Sequence, residues 1–190
     1  PGKQVALIWE TVEGGWVIED YYHFRGKKYS ETTINLGSAQ VAADGRLSFG
    51  FTVPEDYGGI HNVVVSADAV PLAQGAVDLT QSFEMSPTAG PLGTLIELKV
   101  KGLGWRVLES TWVVNWDNRE VGWVSAASSR GTATARFRAT GPEGEHQIKV
   151  YTGWQGQGYL NFEQAPNAYL PRPGFVFRTT TGSVAPATYV

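Results

Sequence analysis

The sequence predicts an all-β protein of two tandem sandwiches, and three observations carry that expectation. Period-two alternation of apolar and polar residues recurs along the chain, whereas a sustained i, i+3, i+4, i+7 apolar pattern is missing. Aromatic residues reach 12%, with 7 Trp, while charged residues stay at 17%; this suits aromatic-filled sheet cores rather than helical bundles or disorder. A length of 190 residues accommodates two domains of about a hundred residues, a usual sandwich size.

In chain order, Val5-Ala6-Leu7-Ile8-Trp9 is a strand apolar enough to be buried on both faces. Residues 11–15 read as a loop. Trp16-Val17-Ile18 begins a strand continuing to Phe24, and Gly26-Lys27-Lys28 reads as its turn. A short strand at 38–42 precedes an Asp44-Gly45 hairpin turn. Leu47, Phe49, Phe51 and Val53 alternate with Ser48, Gly50 and Thr52, which predicts a half-buried strand. Residues 60–66 form another strand, and 76–79 close the first unit.

The order then repeats. Trp112-Val113-Val114-Asn115-Trp116-Asp117 stands where Val5 to Glu10 stood, and Arg130-Gly131 replaces Asp44-Gly45. Ala133, Ala135, Phe137 and Ala139 replace Leu47, Phe49, Phe51 and Val53. Gly144 to Val150 matches Gly59 to Val65, and Leu160-Asn161-Phe162-Glu163 matches Ala76 to Leu79. The expected domains are 1–80 and 83–164, with 165–190 as an extended tail or strand. The first carries an inserted hairpin, 11–34, and lacks opening strands comparable to 83–104. Such a gap leaves unpaired backbone and an open core.

Between the units runs Phe83-Glu84-Met85-Ser86-Pro87-Thr88-Ala89-Gly90-Pro91-Leu92-Gly93-Thr94, in which Ser86-Pro87 and Gly90-Pro91 bar helix. This Ser-Pro-Thr-x-Gly-Pro-x-Gly-Thr run, leading into the strand Leu95-Ile96-Glu97-Leu98-Lys99-Val100, resembles the opening of immunoglobulin-like domains of the IPT/TIG type in bacterial surface and secreted proteins. The resemblance implies two tandem immunoglobulin-like β-sandwiches, secreted or at the cell surface. It implies a non-catalytic spacer, adhesion module or filament building block whose partners are proteins or cell-surface glycans.

The residues set limits on chemistry. Net charge is −3 and no basic cluster exceeds Arg25-Gly26-Lys27-Lys28, so nucleic acid is not an expected partner. Cysteine is absent, which removes disulfides, thiolate metal sites and cysteine nucleophiles. No apolar run has the length of a membrane span. His61 and His146 occupy equivalent places in the two units, as expected for structural rings bonding to loop backbone. His23 stands alone near Glu19 and Asp20; on a strand, Asp20 and His23 would point to opposite faces. No nucleophile elbow, phosphate loop or calcium-loop spacing is present, and neither cofactor nor metal is expected.

Aromatic side chains carry the strongest binding signal. Trp9 and Trp116 are equivalent and read as core. Trp16, Tyr21 and Tyr22 in the insertion, with Trp154 and Tyr159 flanking a Gly/Gln-rich stretch, form a candidate glycan-stacking set; the same rings also fit simple packing beneath their own hairpins. The alternating tail segment, with Phe175 and Phe177, is either a final strand, a linker or a strand donated to a neighbouring subunit in a filament.

Overall fold

In the computed structural model, which describes residues 2–152, 162–164 and 168–184, Val5, Leu7 and Trp9 are buried but Ala6 and Ile8 only half-buried. This stretch thus buries one face rather than the two expected, and it opens a strand that runs far beyond Trp9. β1 (Gln4–Asp20) pairs antiparallel with β2 (His23–Gln40) along almost its whole length. Residues 11–15, expected as a loop, belong to this ladder, with Thr11 opposite Thr32 and Gly15 opposite Lys28. The turn also lies elsewhere than expected. The Asp20 carboxylate accepts the backbone N–H of Tyr22 at 2.8 Å and of His23 at 3.1 Å, a local closure that ends the ladder there. Gly26, expected in the turn, sits opposite Val17 at a register shift that leaves Arg25 without an opposite residue.

β3 (Gly59–Ala67) and β4 (Val70–Leu79) complete a four-stranded sheet in the order β2-β1-β3-β4. β3 meets β1 only from Ala6 to Trp9, so the distal parts of β1 and β2 project as a two-stranded ribbon.

The rest of the chain forms two further sheets. β5 (Ser82–Ser86), β7 (Leu95–Lys101) and β10 (Ala133–Arg138) form one in the order β10-β7-β5. The other has the order β6-β12-β11-β8-β9, built from β6 (Ala89–Leu92), β8 (Trp112–Trp116), β9 (Arg119–Val124), β11 (Gly144–Thr152) and β12 (Gly174–Ser183). They share one core: Ile96, Leu98 and Val100 of β7 meet Trp112, Val114, Ile148, Val150 and Phe177 of the five-stranded sheet. Fully burying each such side chain is worth about 1.5–3 kcal/mol, so this core is the main source of stability here. The described chain is thus all-β, with several sheets and no α-helix.

Two expectations need correcting. The segment 165–190, set apart from 83–164 as a tail or strand, contains the strand β12, which lies inside the larger sheet rather than outside it. β12 pairs antiparallel with β11 and parallel with β6, so both its edges are used within its own chain. Phe177 is fully buried, with its ring 5.7 Å from that of Trp116, and Phe175 packs on the same core. The rings proposed for a donated strand fill their own sandwich instead. β12 also takes the place beside β11 that β4 holds beside β3, a place the sequence match had assigned to 160–163.

The second correction concerns residues 47–53. Leu47, Phe49 and Phe51 are half-buried and Ser48, Gly50 and Thr52 exposed, as the alternation predicts, but Val53, expected inward, keeps 43% of its surface exposed. Yet this segment is not a strand, because no backbone group in it has a hydrogen-bond partner among the described residues. Alternation fixes which side chains turn inward, but a strand also needs a neighbour. β10 has that neighbour in β7.

The two parts of the chain are in close contact. The Gly58 N–H donates to the Leu103 carbonyl at 3.1 Å, and the Leu103 N–H to that of Gly131 at 3.0 Å. The Tyr57 hydroxyl donates to the Ala127 carbonyl, and Glu55 bonds Thr132 and Lys101. Gly131 has φ of 81°, and a Cβ there would lie 2.6 Å from the Asp56 carbonyl oxygen. Only glycine meets both demands without strain.

Candidate functional site

The projecting ribbon of β1 and β2 lies against the loop that follows β7, and the contact begins with Lys27. Its Nζ donates to the Ser110 carbonyl at 2.9 Å, the Ser110 hydroxyl at 3.0 Å and the Thr111 hydroxyl at 2.7 Å. These contacts account for all of the ammonium protons. Burial pushes the Lys27 pKa down to about 8, since removing water disfavours the charged form. The same ammonium lies 5.6 Å from the centre of the Trp16 ring.

Deeper in, Tyr29 meets Tyr57 edge-on at 5.7 Å, and burial pushes its phenol up to about 12. Trp105 closes this end, 6.2 Å from Tyr57 and 5.2 Å from His61. Between ribbon and loop lies an open groove of about 560 Å³. Trp16, Phe24, Lys27 and Tyr29 line it from the ribbon; Trp105, Val107, Ser110, Thr111 and Trp123 line it from the other side. The Trp16 and Phe24 rings tilt together at 5.7 Å. Trp16, Trp123 and Phe24 keep 38%, 54% and 60% of their surface exposed, so the groove offers ring faces to solvent.

Of the aromatic residues proposed from sequence, Trp16 lines this groove. Tyr21 and Tyr22 do not; they sit at the ribbon's turn, edge to face at 5.0 Å and almost wholly exposed. Trp154 and Tyr159 lie outside the described residues. Trp105 and Trp123 were missed as partners of Trp16, because no local pattern reveals that residues about ninety to a hundred and ten positions apart share a groove. Lys27 was read only as part of a charged turn.

The histidines divide as their positions suggest. His61 stacks on Trp9 at 4.5 Å, and His146 lies over Trp116 at 4.8 Å. Each also bonds the carbonyl four residues earlier, His61 that of Tyr57 at 2.7 Å and His146 that of Pro142 at 2.9 Å. Their other nitrogens meet the Glu10 carbonyl and the Asp117 carboxylate, respectively. Both rings therefore brace strand entries.

His23 and Asp20, expected on opposite faces, do meet: Nδ1 lies 2.7 Å from the carboxylate. Strand alternation stops at the turn, which brings them together. The bond to His23 and the Tyr22 N–H hold the Asp20 carboxyl below its usual range. The pair stands in the open at the turn, outside the groove lining. Among the described residues no three His, Asp or Glu side chains converge as metal ligands. No helix of the described residues is long and apolar enough to cross a membrane. No protein-family model and no curated protein matches the chain.

Proposed function

We propose that the chain is a non-catalytic interaction module of an exported bacterial protein, made of two tandem immunoglobulin-like sandwiches, and that its aromatic groove binds carbohydrate. The observation carrying this reading is the groove itself, where exposed ring faces of Trp16, Phe24 and Trp123 stand beside the hydroxyls of Ser110 and Thr111. Pyranose rings present apolar C–H faces with hydroxyls at the rim, and flat aromatic surfaces flanked by polar groups complement them. Lys27 already donates to three oxygens on its own chain, so its part is to hold the ribbon in place rather than to react.

The tandem reading is supported by the shared His–Trp bracing and by the matched neighbours of β3 and β11. The location at a cell surface rests on the resemblance of residues 86–94 to IPT/TIG-type openings. Titration with a panel of soluble polysaccharides, followed by tryptophan fluorescence, tests the proposal. Binding should shift the emission, and Trp16→Ala or Trp123→Ala should each weaken it about tenfold, on the order of 1.4 kcal/mol. A flat response across the panel, or variants that bind like the original, would remove the carbohydrate reading.

A further inference from the structure

Residues 47–53 carry strand alternation without strand pairing. Leu47, Phe49 and Phe51 turn inward, with Phe49 against Gly37, while Ser48, Gly50, Thr52 and Val53 are exposed. Their backbone N–H and C=O groups make no hydrogen bond among the described residues. A neutral stretch with open backbone is a template for another strand. In the second half, β10 stands at the matching place and is covered by β7, so this is a position where a strand fits.

We propose that residues 47–53 form a self-association edge, at which two copies pair antiparallel about a two-fold axis through Gly50. The sequence of the segment favours a second copy as the occupant because its polarity is palindromic about Gly50. Antiparallel pairing then sets Leu47 opposite Val53, Ser48 opposite Thr52, Phe49 opposite Phe51, and Gly50 opposite its counterpart. Opposed residues share a face, so Leu47, Phe49 and Phe51 stay inward and Ser48, Gly50 and Thr52 outward, while Val53, exposed in the single chain, gains Leu47 of the second copy as its neighbour. A one-residue slip would set apolar against polar positions throughout, which fixes the register.

The charges at the two ends agree with this. Arg46 precedes the segment and Glu55 follows it. The two-fold axis brings each Arg46 opposite Pro54 of the second copy, next to Glu55. The Arg46 side chain is 90% exposed, 3.8 Å from Asp44, and the Glu55 side chain is 57% exposed and bonded to Thr132 and Lys101 of its own chain. An Arg46–Glu55 contact between copies would add to these bonds rather than fill a vacancy. Like charges do not meet within the paired stretch, which holds none. The edge is separate from the aromatic groove, whose lining includes none of these residues.

The chain has no cysteine, so one engineered thiol reports its own neighbour. A Cβ at Gly50 meets nothing within 4 Å and its φ lies outside the left-handed region, which makes Gly50→Cys a tolerable substitution. In the paired dimer the two Gly50 Cα atoms would be about 4.5–5.5 Å apart, within disulfide reach. The two Ser48 positions would be roughly 14 Å apart and out of reach.

Light scattering on the unaltered chain should show the mass rising from one chain to two with concentration. Mild oxidation should link Gly50→Cys into a covalent dimer, leave Ser48→Cys monomeric, and link the double variant Ser48→Cys/Thr52→Cys. A mass that stays at one chain across the series overturns the proposal, independently of how any variant folds. Crosslinking of Ser48→Cys as readily as Gly50→Cys overturns the register and the two-fold. Should the chain remain monomeric and bind a peptide of the β7 sequence, the edge belongs to a strand of another polypeptide, and self-association is likewise overturned.

Discussion

His146 and Asp117 illustrate how a single contact sets a pH dependence. Burial alone lowers the His146 pKa, but the hydrogen bond and charge of Asp117 and the Pro142 carbonyl outweigh it, and the net shift is upward from 6.5. For Asp117, burial acts to raise the carboxyl, yet the bonds from His146 and the Gln147 N–H win and hold it below 3.8. The histidine's contribution to stability is fully present below pH 6.5 and is lost as pH rises through its higher folded value. The aspartate's is fully present above pH 3.8 and is lost as pH falls through its lower folded value. The pair thus stabilises most between those two pH values. Thermal unfolding in a pH series should show the melting temperature falling above pH 6.5 in the unaltered chain and less steeply in His146→Gln. Equal slopes in the two proteins would mean that the contact is not linked to folding.

At the scale of elements, the β1–β2 ribbon docks through a half-buried cation, Lys27. A lysine whose folded pKa is about 8 against an ordinary 10.5 binds fewer protons folded than unfolded across that interval. Stability attributable to it therefore rises from pH 8 to 10.5, where the cost of burying the charge disappears. An NMR titration of the Lys27 side chain should give a midpoint near pH 8, and Lys27→Met should abolish its share of the rise. A midpoint near 10.5 would place the ammonium in open water and undo the docking of the ribbon on residues 110 and 111.

At the scale of the whole molecule, the joint between the first sheet and the sandwich behind it depends on close backbone approach. Gly131 lies against Asp56 and Tyr57 in a left-handed conformation. Gly131→Ala should cost about 2–4 kcal/mol, because a Cβ would meet main chain that cannot rotate aside. A calorimetric scan should show a lower melting temperature, with the first sheet, whose outer strands β2 and β4 are mostly exposed, losing order first. An unchanged melting temperature would mean that the joint contributes little to the fold.

The all-β class, the burial of Trp9 and Trp116, and the bracing role of His61 and His146 were legible in the sequence. All of these follow from local alternation and from the internal match, which need no knowledge of distant neighbours. The sequence also singled out Trp16, which lines the groove and stays partly exposed. That residues 11–15 join the ribbon, that β12 is paired on both edges within its own chain, and that residues 47–53 stay unpaired among the described residues emerged from the folded chain alone. Alternation tells which face a side chain takes, but pairing depends on which strand arrives alongside, and that is a long-range event. The groove was equally out of reach of the sequence. Trp16 and Phe24 come from the ribbon, Trp105 and Trp123 from beyond β7, and only the docking of Lys27 on Ser110 and Thr111 brings the rings to one place.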